Sequence, residues 1–352
     1  KERVKRGAID FETTETRIVF GADRKIERIV PVERNDAHKI IEECMIAANV
    51  ASARFLAKHK MPTLYRVHEG PKVEKLLALR ELLKEAGLSL RGGEKPEPKH
   101  FAELLDTIQK RPDAHLLQMV MLRTLAQARY APENVGHFGL SLDQYLHFTS
   151  PIRRYPDLLV HRAIRHVLRA KAGKGLIKRA LGRMLQSGSS SGFRYSVADM
   201  QVLGEHCSTT ERRADEATRD AVDWLKCEYM MDKVGEEFSG VISSVTSFGI
   251  FVELQDIFVE GLVHVTALKN DYYHFDPAGH RLRGERSGTV YRLTDPVRVK
   301  VMRVDLDERK IDFELVEKVQ QKPGRAVAGG KTKKARSRSG SRRRKKSGGK
   351  DQ

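Results

Sequence analysis

At 352 residues the chain is long enough for two domains with a sizeable core in at least one of them, and its net charge of +18 with a pI near 9.8 points to a polyanionic partner, nucleic acid first. Cys44, Cys207 and Cys227 have no CxxC spacing, which excludes a disulfide framework and a Cys-based zinc site and fits a reducing cytoplasm. No apolar run approaches the roughly 18 residues needed to cross a bilayer and no secretory leader opens the sequence, so the expectation is a soluble, cytoplasmic protein away from membranes.

The opening "KERVKRGAIDFETTETRIVFGADRKIERIVP" alternates in the manner of strands and starts at Lys1, so further sequence is expected upstream. From Asn35 to His59 the period becomes helical: Ala37, Ile41, Cys44, Ala48, Ala51 and Phe55 recur at three- and four-residue steps, with Asn35 or Asp36 as N-cap. A second helix begins at Gly70-Pro71, lines up Leu76, Leu79, Leu83 and Ala86, and stops at Gly87. "RGGEKPEPK" (91–99) reads as a loop. Helices follow over about 101–110 and 112–130, the second ending before Pro132. The stretch to about 150, with "GHFGLSLDQYLHF", is too rich in glycine and aromatics for a plain helix.

"HFTSPIRRYPDLLVHR" (147–162) then sets a Ser150-Pro151 turn, the adjacent Arg153 and Arg154, and a helix opening at Pro156-Asp157 within sixteen residues. Leu159, Ala163, Val167 and Leu168 face a core while Arg162, Arg165 and Arg169 form a parallel stripe, which reads as a solvated face. "QSGSSSG" (186–192) reads as a flexible link, and a last helix runs over about 196–231 with Trp224 as its expected core anchor. At Gly235 the period switches to two. "FSGVISSVTSFGIFVEL", "VEGLVHVTAL" and "DPVRVKVMRVDLDERKIDFEL" predict five strands closing as a small barrel of the OB type. From Lys322 onward 13 Lys or Arg stand against one acid, Asp351, so two thirds of the net charge sits in a tail expected to be disordered and to add salt-sensitive RNA affinity.

Other chemistries find no support. His161 and His166 are five apart and no HExxH exists, no GxxxxGK[ST] is present, and a nucleophilic Ser150 has no identifiable base.

Residues 235–316 resemble an S1 domain, the RNA-binding variety of OB barrel, through "GVISSVTSFGIFVEL", "EGLVHVTAL" and "VKVMRVDLDERKIDFEL". The resemblance implies that Phe248 and Phe251 stack on bases with help from His264, and aromatic faces do hold single strands at about 1–3 kcal/mol per base. Residues 1–231 resemble the C-terminal half of the catalytic domain of the ribonuclease II and R family of processive 3′→5′ exoribonucleases. The motifs are "AIDFE", "IIEECMIAANVASARFL", "YRVHEGP", "HFGLSLDQYLHFTSPIRRYPDLLVHRAI" and "ERRADEATRDAVDWLKCEYM".

What the resemblance implies is an α+β protein: a mostly helical half of an RNB-type catalytic domain (1–231), an S1 barrel (232–318) and a disordered Lys/Arg-rich tail (319–352). The implied reaction is RNA hydrolysis to nucleoside 5′-monophosphates with two Mg²⁺ ions. Arg153 forks onto a scissile or neighbouring phosphate, and Arg154 holds RNA backbone. Phe11 stacks on a base at the 3′ end and Glu43 meets the terminal ribose, with Glu42 one position away as the alternative. Glu216 and Asp220, four apart on the last helix, are weaker candidates. The family's metal ions sit on an aspartate cluster in the other half of the domain, and "EECM" and "VDLDER" do not replace it, so no metal ligand is assigned and the chain is expected to be inactive alone. Single-stranded RNA is the expected partner, with ribosome-associated RNA through the tail, and a monomer the expected state. The competing expectation is a non-catalytic S1-type RNA- or ribosome-binding protein.

Overall fold

The computed structural model describes residues 2–11, 15–22, 24–32, 34–111, 113–172, 193–268, 271–277 and 279–318. The expected link at 186–192 and the expected disordered tail lie outside them.

The opening stretch holds a one-turn helix, α1 (Glu2–Lys5), and a hairpin of β1 (Glu15–Phe20) and β2 (Ile26–Val32). Helix α2 (Asp36–Lys58) starts on Asn35, whose Oδ1 accepts from His38 N at 3.1 Å while His38 Nδ1 accepts from Asn35 N at 3.3 Å. That reciprocal cap decides between Asn35 and Asp36. Helix α3 (Val73–Glu85) buries Leu76, Leu79, Leu82 and Leu83, and Gly87 follows at φ 70°, a conformation suited to glycine. Helix α4 (Pro98–Ile108) begins inside the expected loop, with Pro98 in its first turn.

The expected helix over 112–130 is shorter. Helix α5 (Ala114–Thr124) ends where Leu125 turns extended, and β4 (Arg129–Ala131) pairs with β3 (Tyr65–Val67). Strand pairing, reinforced by Tyr130 N donating to Ser208 Oγ at 2.9 Å, overrides the local helical pattern. Helix α6 (Tyr155–Ala172) packs on α2 through Ala53, Leu56, Leu146, Val160 and Ala163. Helix α7 (Val197–Met231) opens on Ser196, capped reciprocally by Asp199.

Barrel strands β5 (Glu237–Thr246), β6 (Gly249–Leu254), β7 (Glu260–His264), β11 (Pro296–Asp305) and β12 (Lys310–Lys318) close in the order β11-β12-β7-β6-β5, the expected five. Between β7 and β11 the chain adds a separate sheet of β8 (Tyr273–Asp276), β9 (Arg281–Gly284) and β10 (Val290–Arg292), which strand counting missed because the strands are short. Inward residues such as Ile242, Ile250, Val252, Val263, Val299 and Phe313 fill the barrel.

Helix α7 meets the barrel through Cys227 and Met230, both buried in the same core, whereas Trp224 is 42% exposed and is not the anchor. Trp224 sits one step around the helix from the buried stripe that Cys227 and Met230 define. Two ion pairs tie the barrel and its insert to the helical part: Arg309 to Asp220 at 3.0 Å and Arg281 to Glu85 at 3.5 Å.

Gly249 stands at φ 158° where a Cβ would lie 2.4 Å from Val263 O, so β6 and β7 approach too closely for any side chain there. Gly249→Ala is expected to lower stability by about 2 kcal/mol or more, read from the urea midpoint. An unchanged midpoint would mean the two strands part easily.

Candidate functional site

The Ser150-Pro151 turn is held by side chains rather than by a strand ladder. Asn49 of α2, itself buried, accepts from Phe148 N at 2.9 Å and donates to Tyr145 OH at 3.0 Å. His161 of α6 stacks on Phe148, ring centroids 4.2 Å apart, and its Nε2 lies 2.9 Å from Phe148 O, placed to donate to it. Asp157, fully buried in the first turn of α6, accepts from Ser150 N at 2.7 Å and from Arg154 Nη2 at 2.8 Å, both on Oδ1. The N–H groups of Arg153 and Arg154 return to Ser150 O at 3.3 and 3.0 Å. A buried carboxylate needs such partners, and here they fix the backbone on which both arginines stand.

The two arginines part company at this point. Arg154 is 18% exposed and turned inward onto Asp157, so it braces the turn. Arg153 is exposed, beside a fully exposed Ile152, and makes no hydrogen bond or ion pair among the described residues. Of the arginine stripe, Arg162 reaches Tyr195 OH at 2.8 Å and Tyr155 OH at 3.3 Å.

Segment 6–11 rides on the loop that feeds this turn. Ile9 N donates to Gly139 O at 2.9 Å, Arg6 Nε to Leu140 O at 3.0 Å and Ser141 Oγ to Arg6 O at 2.7 Å. Phe11 is half-buried against the main core. Asp10, Glu42 and Glu43 gather around two arginines: Arg34 binds Glu42 through two nitrogens, one at 2.9 Å, and Asp10 at 3.1 Å, while Arg3 binds Asp10 at 3.1 Å and approaches Glu43 at 3.5 Å. The Arg34 hydrogen bonds hold the Glu42 carboxyl below its ordinary range. Glu42 is thus committed to Arg34, and Glu43 is the less engaged of the pair. Asp220 is bonded to Arg309 of the barrel, and Glu216, one turn earlier, faces solvent.

A buried aromatic and histidine layer lies behind the turn. Arg66 of β3 pairs with Glu211 of α7 at 2.5 Å and covers the Tyr130 ring at 4.7 Å, and Tyr130 OH sits 2.8 Å from His147 Nδ1. Burial, helped by the nearby arginines, pushes the His147 imidazole down to about 2, and burial with the neighbouring His68 pushes His137 down to about 3. Both rings are neutral at pH 7. Asn49, Arg66, His147 and Glu211 escaped the sequence reading because each acts on residues far along the chain. Asp157 had been visible only as a helix-opening acid.

On the barrel, register gathers the predicted trio. Gly249 pairs with His264 and Phe251 with Leu262, and Val265 N donates to Phe248 O at 2.8 Å. Phe248 and Phe251 meet edge to face at 6.0 Å, Phe248 being 47% exposed. His264 Nδ1 is engaged by Thr266 at 2.8 Å, which leaves Nε2 as its outward nitrogen. Among the described residues no three His, Cys, Asp or Glu come together as metal ligands, and no helix is long and apolar enough to cross a membrane.

Residues 1–170 match the RNB domain and residues 231–315 the S1 RNA binding domain, so fold and comparison define an RNB protein carrying an S1 barrel, and the chain belongs to that family. Within it the chain is similar to ribonuclease R: it is 55% identical to the *Escherichia coli* K12 protein over 316 residues, 90% of this chain and 38% of that one. It is 54% identical to the *Vibrio cholerae* ribonuclease R over 334 residues, 95% and 39% of the two chains. The chain therefore spans well under half the length of these relatives. *Mycoplasma genitalium* RNase R, solved in its apo form and with ribose-methylated single-stranded RNA, superposes with a TM-score of 0.78 at 28% identity, covering 90% of this chain and 47% of that one.

Two outcomes follow for the clamp. Asp157→Asn, which strands the Arg154 guanidinium, is expected to cost about 3–5 kcal/mol in urea unfolding, and adding Arg154→Leu is expected to recover part of it. Strict additivity of the two changes would show that they do not act as a pair. Because His137 and His147 have depressed values in the fold, the unfolded chain binds more protons below pH 6.5, so stability falls as pH drops from 7 to 5, by about 2 kcal/mol per imidazole. A His147→Gln variant that folds should lose stability less steeply over that range. An identical slope would contradict the assignment.

Proposed function

We propose that this chain is part of a processive 3′→5′ exoribonuclease, supplying the phosphate-side cation and the RNA grip. The observation that carries the reading is the exposed, unpaired Arg153 on a turn fixed by Asn49, His161 and Asp157. In the hydrolysis, water adds to the phosphorus of the terminal nucleotide, the bond to the 3′ oxygen of the preceding ribose breaks, and a nucleoside 5′-monophosphate departs. Arg153 forks onto that phosphate and offsets the charge that grows on its oxygens, from a position it reaches without breaking an existing ion pair. Glu43 meets the terminal ribose hydroxyls, Phe11 stacks on the terminal base, and Phe248, Phe251 and His264 hold the strand further along. Arg154 serves the site through Asp157 rather than through RNA.

RNB proteins are metal-dependent nucleases in this reading, with Mg²⁺ as the ion, yet the described residues do not fit a Mg²⁺ site. The ion takes about six oxygen ligands, while Asp10, Glu42 and Glu43 are engaged by Arg3 and Arg34. No step is assigned to the metal here. Helix α7 goes with the RNB part, giving a unit of 1–231 ahead of the barrel, because it packs on β4 and its Glu211 holds Arg66. The RNB match over 1–170 weighs against a purely RNA- or ribosome-binding role, and single-stranded RNA is the substrate, handled by a cytoplasmic monomer.

The expected result is that this chain binds 5′-labelled single-stranded RNA but releases no mononucleotides when Mg²⁺ is added. Processive release of 5′-monophosphates would place the metal ligands within these 352 residues and overturn the assignment.

A further inference from the structure

A cavity of about 560 Å³ opens on the barrel where β7, the turn after it, β11 and β12 meet. Its apolar lining comes from Leu262, Ala267 and Met302, and its polar lining from His264, Asp312 and Glu314. Asp312 lies directly across from Leu262 in the parallel β12 and β7 pair, and His264 is two residues on from Leu262, on the same side of the strand. The cavity therefore adjoins the Phe248 and Phe251 face through His264, whose neighbour in register is Gly249.

Its chemistry is unlike that face. Two carboxylates repel phosphate and accept N–H donors, while the half-exposed Met302 offers a polarisable, adaptable wall to a flat ring. The volume suits one nucleoside, with the phosphates left outside. Cytosine, adenine and guanine present exocyclic amino donors to such a rim. Uracil presents two carbonyl oxygens and a single N–H, and its oxygens meet the carboxylates unfavourably.

We propose that this cavity is a nucleobase subsite that favours bases bearing an exocyclic amino group over uracil. The inference rests on reading the barrel as the RNA-binding part of the chain.

The test is equilibrium binding of this chain to 5′-labelled oligo(C) and oligo(U) of equal length, whose rings match in size, so that stacking differences stay small. About 0.2 M salt limits the electrostatic contribution of the basic tail. The expected result is a roughly ten-fold preference for oligo(C), reduced to within about two-fold by Asp312→Asn, with oligo(U) binding unchanged or tighter. Asp312 is exposed, so the variant is expected to fold, and Met302→Arg, which fills the cavity with a cation, should also remove the preference. Equal binding of the two oligomers by the unmodified chain, or a preference that survives both variants, would overturn the proposal. The double variant Phe248→Ala with Phe251→Ala separates the two levels of the account. If it weakens both oligomers alike, the barrel reading stands whatever becomes of the cavity; if it weakens neither, the barrel reading itself fails.

Discussion

Everything at the candidate site depends on one buried carboxylate. Asp157 is fully enclosed, and an ionised group in that position is tolerated only where charge and hydrogen bonds meet it. Ser150 N and the Arg154 guanidinium do so on one oxygen, and in binding there they lock the Ser-Pro turn against the first turn of α6. One arginine of the pair is consumed by the fold. Its neighbour is thereby presented to solvent on a backbone with little freedom, which is the preorganisation that electrostatic catalysis at a phosphate requires. The same logic extends outward, since Asn49 and His161 fix Phe148 from two helices that pack on each other through Ala53, Leu56, Val160 and Ala163.

The barrel is joined to this scaffold rather than strung beside it. Cys227 and Met230 at the end of α7 share a core with the barrel valines, and Asp220 and Glu85 each take an arginine from the barrel or its insert. Asp220, once a distant candidate for the active site, thus has a mechanical part. Helix α7 also carries Glu211 under Arg66, so a single helix of 35 residues links the floor of the turn to the RNA-holding barrel.

Local signals made much of this legible. The Asn35 cap, the leucine stripe of α3, the five-strand barrel and the clustering of Phe248, Phe251 and His264 follow from periodicity, capping chemistry and strand register, all of which act over a few residues. Features that depend on distant partners were hidden. The last residues of the expected helix before Pro132 became β4 because β3, some 60 residues earlier, offered a strand edge. Trp224 lost its expected anchoring place to smaller neighbours that the barrel surface selects. Arg153 and Arg154 look equivalent in sequence, and only the position of the Asp157 carboxylate tells them apart. The choice between Glu42 and Glu43 likewise turns on Arg34, which sequence spacing does not place.

The central claim is that Arg153 acts on the phosphate as charge develops, and not as one more hold on RNA. Single-turnover hydrolysis by the whole protein carrying Arg153→Lys, with RNA affinity measured in parallel, addresses it most directly. The account predicts a rate at least about a hundred-fold lower with affinity nearly unchanged, because a point charge does not reproduce the two-pronged contact. A fall in affinity that matches the loss at low RNA concentration, with the rate at saturation intact, would contradict it.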